Sequence, residues 1–198
     1  ELESSYINTI DASYMVYSNT MFFSCGFTFK HQNRPIVLYP SYSEKLHQYM
    51  NQYMNISSLN DYRVNFYGNY KPIIPLSLTL TSDFGLYRMK DYTGGYDNGK
   101  SYNLTFMCDF SLKHQWTLSL QYGNYLNMHP IWGKTHSFNI YSCSVSKSFL
   151  KNALNVRVIM NSPFSKFTKI REQSILPSYS GSQTNFMRAR AFGIDITY

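Results

Sequence analysis

Along residues 74–86 apolar and polar side chains alternate position by position. Ile74, Leu76, Leu78, Leu80, Phe84 and Leu86 hold one parity, while Ser77, Thr79, Thr81 and Asp83 hold the other. A period of two marks an extended strand, because successive side chains point to opposite faces. The alternation recurs at Ile10, Ala12, Tyr14 and Val16, at Met21, Phe23, Cys25, Phe27 and Phe29, and at Tyr62, Val64, Phe66 and Tyr70. It continues through Tyr102, Leu104, Phe106, Cys108, Phe110 and Leu112, then Trp116, Leu118, Leu120 and Tyr122. Leu154, Val156, Val158 and Met160 follow, and Phe192, Ile194, Ile196 and Tyr198 close the series. One segment breaks phase: its apolar residues are even at Phe138 and Ile140 but odd at Cys143 and Val145. That predicts a β-bulge at Tyr141 or Ser142. The reading gives about nine strands, each near or above the length that a tilted strand needs to cross a bilayer.

The links between these strands alternate in length. Tight turns are predicted at Ser18–Thr20, Lys71–Ile73, Lys113–Gln115 and Lys151–Ala153, and longer connections at His31–Asn60, Arg88–Lys100, Asn124–Lys134 and Ser162–Asn185. Short turns on one side and long loops on the other are the habit of outer-membrane barrels, whose turns face the periplasm. The last strand is therefore expected to end in the periplasm. Bacterial barrels close with an even number of strands, so a count of nine leads to the expectation that further strands precede this segment or come from a partner. The prolines fall at predicted links or strand starts, and Tyr6, Tyr17, Tyr70, Tyr87, Tyr102, Trp116 and Phe149 lie near strand ends, where an interfacial aromatic girdle is expected.

Composition supports a membrane environment. Of 198 residues 18% are aromatic and only 15% charged, against about 25% charged in a soluble domain. No apolar run approaches the roughly 18 residues of a spanning helix, which excludes a helical membrane protein. The net charge of +7 invites an anionic partner, yet the basic residues are scattered, with Arg188 and Arg190 the nearest to a cluster. No nucleic-acid partner is expected.

Candidate chemistry is sparse. His31, His47, His114, His129 and His136 show no metal-ligand spacing, and Cys25, Cys108 and Cys143 are odd in number and share parity with apolar neighbours. The cysteines are read as small lipid-facing hydrophobes. Asp83 and Asp109, on the wet faces of successive strands, are the one conceivable acid/base pair, with lumen polarity the better reading. The glycine-rich Tyr92–Gly99 lacks the Lys-Ser/Thr of a phosphate loop and reads as a loop tip. Tyr39, Tyr42, Tyr49 and Tyr53, and the stretch from Phe164 to Tyr179, offer aromatic surface for a ligand or for packing at a barrel mouth. No catalytic, metal-binding or cofactor-binding residue is assigned, substrate-binding residues are not identified, and no reaction is expected.

Three stretches carry a family resemblance: Ser144–Val156, with its tight basic turn; Met160-Asn-Ser-Pro-Phe164; and the closing Arg190–Tyr198. They resemble the C-terminal β-barrel portion of TonB-dependent outer-membrane transporters, in which Asn-x-Pro-Phe opens the last extracellular loop. The resemblance implies an all-β, antiparallel up-and-down transmembrane barrel, with residues 1–198 a single partial barrel domain lacking a plug. The family builds its barrel from about twenty-two strands. It further implies residence in the bacterial outer membrane and import of a nutrient, whether glycan, peptide or metal chelate. The expected partners are outer-membrane lipid, N-terminal strands and a plug of the same polypeptide, a periplasmic energy-coupling protein acting through that plug, and a surface lipoprotein. No cofactor is expected. The alternatives are a non-transporting structural or adhesive barrel and a soluble sandwich or lipocalin-like carrier.

Overall fold

A computed structural model describes residues 2–91, 94–129, 133–150, 153–176 and 179–198. Its strands are β1 (Tyr6–Tyr17), β2 (Met21–Asn33), β3 (Ile36–Ser43), β4 (Gln48–Asn55), β5 (Ser58–Ile73), β6 (Leu76–Lys90) and β7 (Tyr96–Leu112). After a single 3-10 turn at Lys113–Gln115 come β8 (Trp116–His129), β9 (Gly133–Phe149), β10 (Leu154–Asn161), β11 (Phe167–Leu176), β12 (Tyr179–Arg188) and β13 (Ala191–Thr197). The main sheet runs β1-β2-β5-β6-β7-β8-β9-β10-β13, with β11 joined to β9 and β12 to β11, while β3 and β4 pair with each other. Every pairing is antiparallel. The nine strands of this path are the nine alternating segments of the sequence.

Register shows that the alternation is coherent from strand to strand. Val16, Phe23 and Gly68 share a rung, as do Leu78, Cys108, Leu120, Cys143 and Met160. One face is thus apolar apart from Ser82, Asn124 and Asn139 on the rung of Leu104 and Lys147 on that of Trp116, and its side chains lie open: Ile10, Leu80, Phe84, Leu120, Val145, Val158 and Ile194 are all exposed. On β7 this band extends from Tyr102 to Leu112, about 34 Å of strand, which at the usual tilt rises about 25 Å, the height of an outer-membrane apolar band. Rings cross it from strand to strand: Phe23 to Phe66 (6.4 Å), Phe66 to Phe84 (6.5 Å) and Phe84 to Tyr102 (6.4 Å). The opposite face carries every carboxylate that lies in a strand: Asp11, Asp61, Asp83, Asp97, Asp109, Glu172 and Asp195. Cys25, Cys108 and Cys143 are unpaired and take the apolar face.

The strands are longer than their apolar segments. Two of the expected long connections are largely strand: β6 runs to Lys90 and β7 starts at Tyr96, while β8 runs to His129 and β9 starts at Gly133. The glycine-rich stretch is therefore split, with Tyr96–Gly99 inside β7 and a turn closed by Asp91 N–H donating to Gly95 O (2.9 Å). Tyr92 and Thr93 lie outside the described residues. Polar alternation beyond the membrane carries no hydrophobic signal, so the sequence pattern stops where the apolar band stops.

The other two connections are hairpins that prolong the wall. Asn33 pairs with Ser58 and Ile36 with Asn55, so the register of β2 and β5 continues unshifted into β3 and β4. The interruption is Arg34-Pro35: Arg34 has φ 50° and Pro35 has no N–H to give. Likewise β10 and β13 continue into β11 and β12 after a break at Ser162–Lys166, where Ser162 has φ 42°. Pro40 falls inside β3 rather than at a link, a placement tolerated in a two-stranded hairpin with an open edge.

The phase change in β9 has a different origin from the one expected. Pairing with β8 is unbroken from Trp116–Lys147 to Tyr125–Phe138, and with β10 from Leu154–Phe149 to Asn161–Ser142. No bulge exists at Tyr141 or Ser142. The shift comes between Tyr125 and Asn127, where His136 and Ser137 stand against Leu126 alone. Phe138 and Ile140 lie before that shift, in the same register as Cys143 and Val145, so the phase change is two apolar residues set on the polar face, opposite Tyr125 and Gly123, with Phe138 stacked on Tyr125 at 5.4 Å.

Candidate functional site

The polar face is furnished at the long-hairpin end of the sheet. There the β3–β4 hairpin bends over it at Arg34-Pro35, and Val37 and Ile56 bury themselves against Met89, a polar-face position of β6, with Met54 and Leu59 alongside. Ile56 is 1% exposed. Polar groups fix the bend. The Asn55 amide donates to Arg34 O (2.7 Å) and to Glu3 O (3.0 Å), Ser57 Oγ donates to Asp91 O (2.6 Å), and Arg34 pairs with Glu3.

Beneath this roof is a cavity of about 330 Å³ lined by Lys30, Gln32, Val37, Asp61, Arg63, Tyr87 and His129, among others. Asp61 and Arg63 are two apart on β5 and so share a face; Arg63 Nε donates to both Asp61 carboxylate oxygens at 3.2 and 3.0 Å. Arg63 Nη2 reaches the Tyr87 hydroxyl (3.3 Å), which in turn is 3.0 Å from Ser101 Oγ. Lys30 is directly opposite Asp61 in the ladder. Tyr87 lies back along its strand over Gly85, where an added Cβ would come within 2.6 Å of Ser101 Oγ and 3.3 Å of the Tyr87 hydroxyl. Tyr125 lies over Gly123 in the same way. At Gly123 the Tyr125 ring occupies the space of the missing side chain, and at Gly85 the Ser101 hydroxyl does so with the Tyr87 ring beside it. Tyr87, expected in the outward girdle, is thus a buried polar-face residue, 6% exposed.

His129 packs its ring 4.5 Å from that of Tyr87. It is one residue past the rung of Lys100, Met128 and Lys134, above the apolar band. Burial, with the Arg63 charge as the lesser cause, pushes its pKa from 6.5 down to about 4. An opened site binds a proton below pH 6.5 that the packed ring refuses until about pH 4. Closure therefore weakens as pH falls through that window, by at most about 3 kcal/mol, and is unaffected above it. Amide exchange of the β3–β4 hairpin is expected to quicken, beyond the intrinsic pH effect, between pH 7 and 4.5, and His129→Gln to remove that excess.

The other sequence candidates are dispersed. Asp109 stands opposite Ser77 and Asp83 opposite Asn103, which places the two carboxylates about 20 Å apart along the strands and dissolves the pair. His31 Nδ1 is 2.6 Å from Asn60 Oδ1, His47 and His114 occupy turns with φ 49° and 60°, and His136 sits at the bulge. Among the described residues no group of three His, Cys, Asp or Glu side chains converges. Tyr53 is exposed, while the side chains of Tyr39, Tyr42, Tyr49 and Tyr179 lie outside the described residues. The Asp61–Arg63–Tyr87–His129 cluster was not assigned from sequence. The Gly-x-Tyr steps at Gly85 and Gly123 carry no distinguishing sign of it, because the same step at Gly68 and Gly94 has no tyrosine ring over the glycine.

An antiparallel up-and-down sheet with an open apolar face about one membrane high, a polar opposite face and its long hairpins at one end defines a transmembrane barrel wall. The profile described as Outer membrane protein beta-barrel family matches residues 1–198, and the chain belongs to that family. Its place is the bacterial outer membrane. No curated protein and no solved structure gives a significant match.

Proposed function

We propose that the chain is part of the wall of a TonB-dependent transporter that imports a nutrient, and that the roofed cavity is a place where the nutrient rests on its way in. The observation that carries the reading is the cavity itself. A hairpin continuous with the wall turns over the polar face and encloses a guanidinium, a carboxylate, hydroxyls and a tyrosine ring. Such a set hydrogen-bonds hydroxyl, amide or carboxylate groups and offers a flat surface to a sugar or peptide plane. The three stretches at Ser144–Val156, Met160–Phe164 and Arg190–Tyr198 support the transporter assignment. In this reading β1 and β13, each with one neighbour among the described residues, join further strands, since an open edge in hydrocarbon leaves backbone groups unsatisfied. A plug fills the lumen, a periplasmic protein supplies energy through it, and catalysis has no part.

The test is uptake by cells carrying the whole protein, supplied with radiolabelled pools of oligosaccharides, peptides and metal chelates. Accumulation from one pool, lost when the proton-motive force is collapsed and reduced at least tenfold by Arg63→Met, is the expected result. Energy-independent uptake, or none, sinks the transporter reading and leaves a structural or adhesive barrel, whose hairpins would be covered by a surface lipoprotein.

A further inference from the structure

The outward face changes character just above the apolar band. Its charges there are all positive: Arg88 on β6, Lys100 on β7, Lys134 on β9, Lys169 and Arg171 on β11, and Arg188 on β12 share the outward parity. The strand carboxylates all take the other face, so nothing within the strands neutralises this belt. Lys100 and Lys134 share a rung with Met128 between them, about 10 Å apart, and Arg171 follows on the next strand. A lumen-facing cation would find Asp or Glu close by. Arg88 lies over the Tyr96 ring at 4.5 Å, and Lys100, Lys134 and Arg171 face the membrane surface with no acid on their side of the strands.

Below the belt is an apolar groove of about 410 Å³ between Leu120, Tyr122, Cys143, Met160 and Phe164. The break after β10 builds it. Ser162 N–H donates to Tyr141 O (2.7 Å), Pro163 ends the ladder, and Phe164 is turned outward with its ring 6.2 Å from Tyr141 and inclined at 21°. Phe164 is 87% exposed, an aromatic wedge standing off the wall within the apolar band, since the rung of its stacking partner Tyr141 runs through Tyr122, Phe106 and Leu80.

We propose that this outward surface is a binding site for a phosphorylated, multiply acylated lipid of the outer leaflet. Its phosphates sit on Lys100, Lys134 and Arg171, and one acyl chain lies in the groove under Phe164. Charge complementarity names the headgroup: three cations on neighbouring strands, with no acid on their face, match a phosphate-bearing lipid and gain little from a zwitterionic one. Along β7 Lys100 stands eight residues from Cys108, the rung partner of Leu120 and Cys143, about 27 Å of strand and about 20 Å in height at the usual tilt, within reach of a long acyl chain hanging from its headgroup. The site rests on the outer-membrane location alone and stands whether or not the barrel transports.

The experiment uses the whole protein in phosphatidylcholine nanodiscs, with lipid A and its dephosphorylated form as probes and native mass spectrometry as the readout. Lipid A is expected to bind at least tenfold more tightly than the dephosphorylated form. Lys100→Gln/Lys134→Gln/Arg171→Gln is expected to erase that preference, and Phe164→Ala to weaken both probes alike. Heat-shifted electrophoretic mobility reports folding; if the triple variant fails it, Lys134→Gln alone is expected to lower the preference at least threefold. A wild-type preference below threefold, or one that survives the charge substitutions, overturns the proposal.

Discussion

Leu120→Arg is expected to cost about 2–4 kcal/mol of folded stability in the membrane, the penalty of a cation near the middle of the lipid-facing band. Leu120 lies on the rung of Cys108 and Cys143 and is 48% exposed, with no polar partner for a guanidinium. One position back, Ser119→Arg is expected to be nearly neutral, because Ser119 faces the polar side directly opposite Asp109. Urea unfolding in phosphatidylcholine vesicles, followed by tryptophan fluorescence, measures both. Equal losses at the two sites would mean that the faces have been assigned the wrong way round.

Ile56→Ala is expected to release the roof of the cavity. Ile56 is nearly the only fully buried large side chain described, and shortening it removes contacts to Val37 and Met89, a change that costs about 2–5 kcal/mol in a packed site. The small cluster holds the hairpin, while the main ladder holds the wall, so the loss is local. Protease cleavage between Tyr39 and Met50 is expected to accelerate at least tenfold, with the global unfolding midpoint little changed. A comparable fall in the global midpoint would show the hairpin and wall to be one cooperative unit.

The wall was legible because hydrocarbon enforces the period of two: from Tyr102 to Leu112 every lipid-facing residue is apolar and, Met107 apart, every residue between them is polar. Where that pressure ends, so does the signal. β11 and β12 place their apolar residues on both parities, Phe167 and Ile175 against Ile170 and Leu176, and Phe186 beside Met187, so no apolar side betrays them, and Tyr96–Lys100 reads as loop because its residues are mostly polar. Phe138 and Ile140 misled in the opposite sense. An aromatic or branched residue normally marks the lipid face, but here Gly123 and Tyr125 give them partners inside. The cavity was hidden for a topological reason, since Arg63, Tyr87 and His129 belong to three strands that only register brings level. The bend over it had a visible sign in Arg34-Pro35, a breaker set in an otherwise continuous ladder.

That breaker separates two jobs within one hairpin. Because the pairing of Asn33 with Ser58 and of Ile36 with Asn55 keeps a single register across it, the arms beyond the bend can lengthen or shorten in equal steps without moving a rung of the wall. The β3–β4 hairpin is therefore an exchangeable cassette: the surface it carries can change while the lipid-facing sequence of the wall stays as it is.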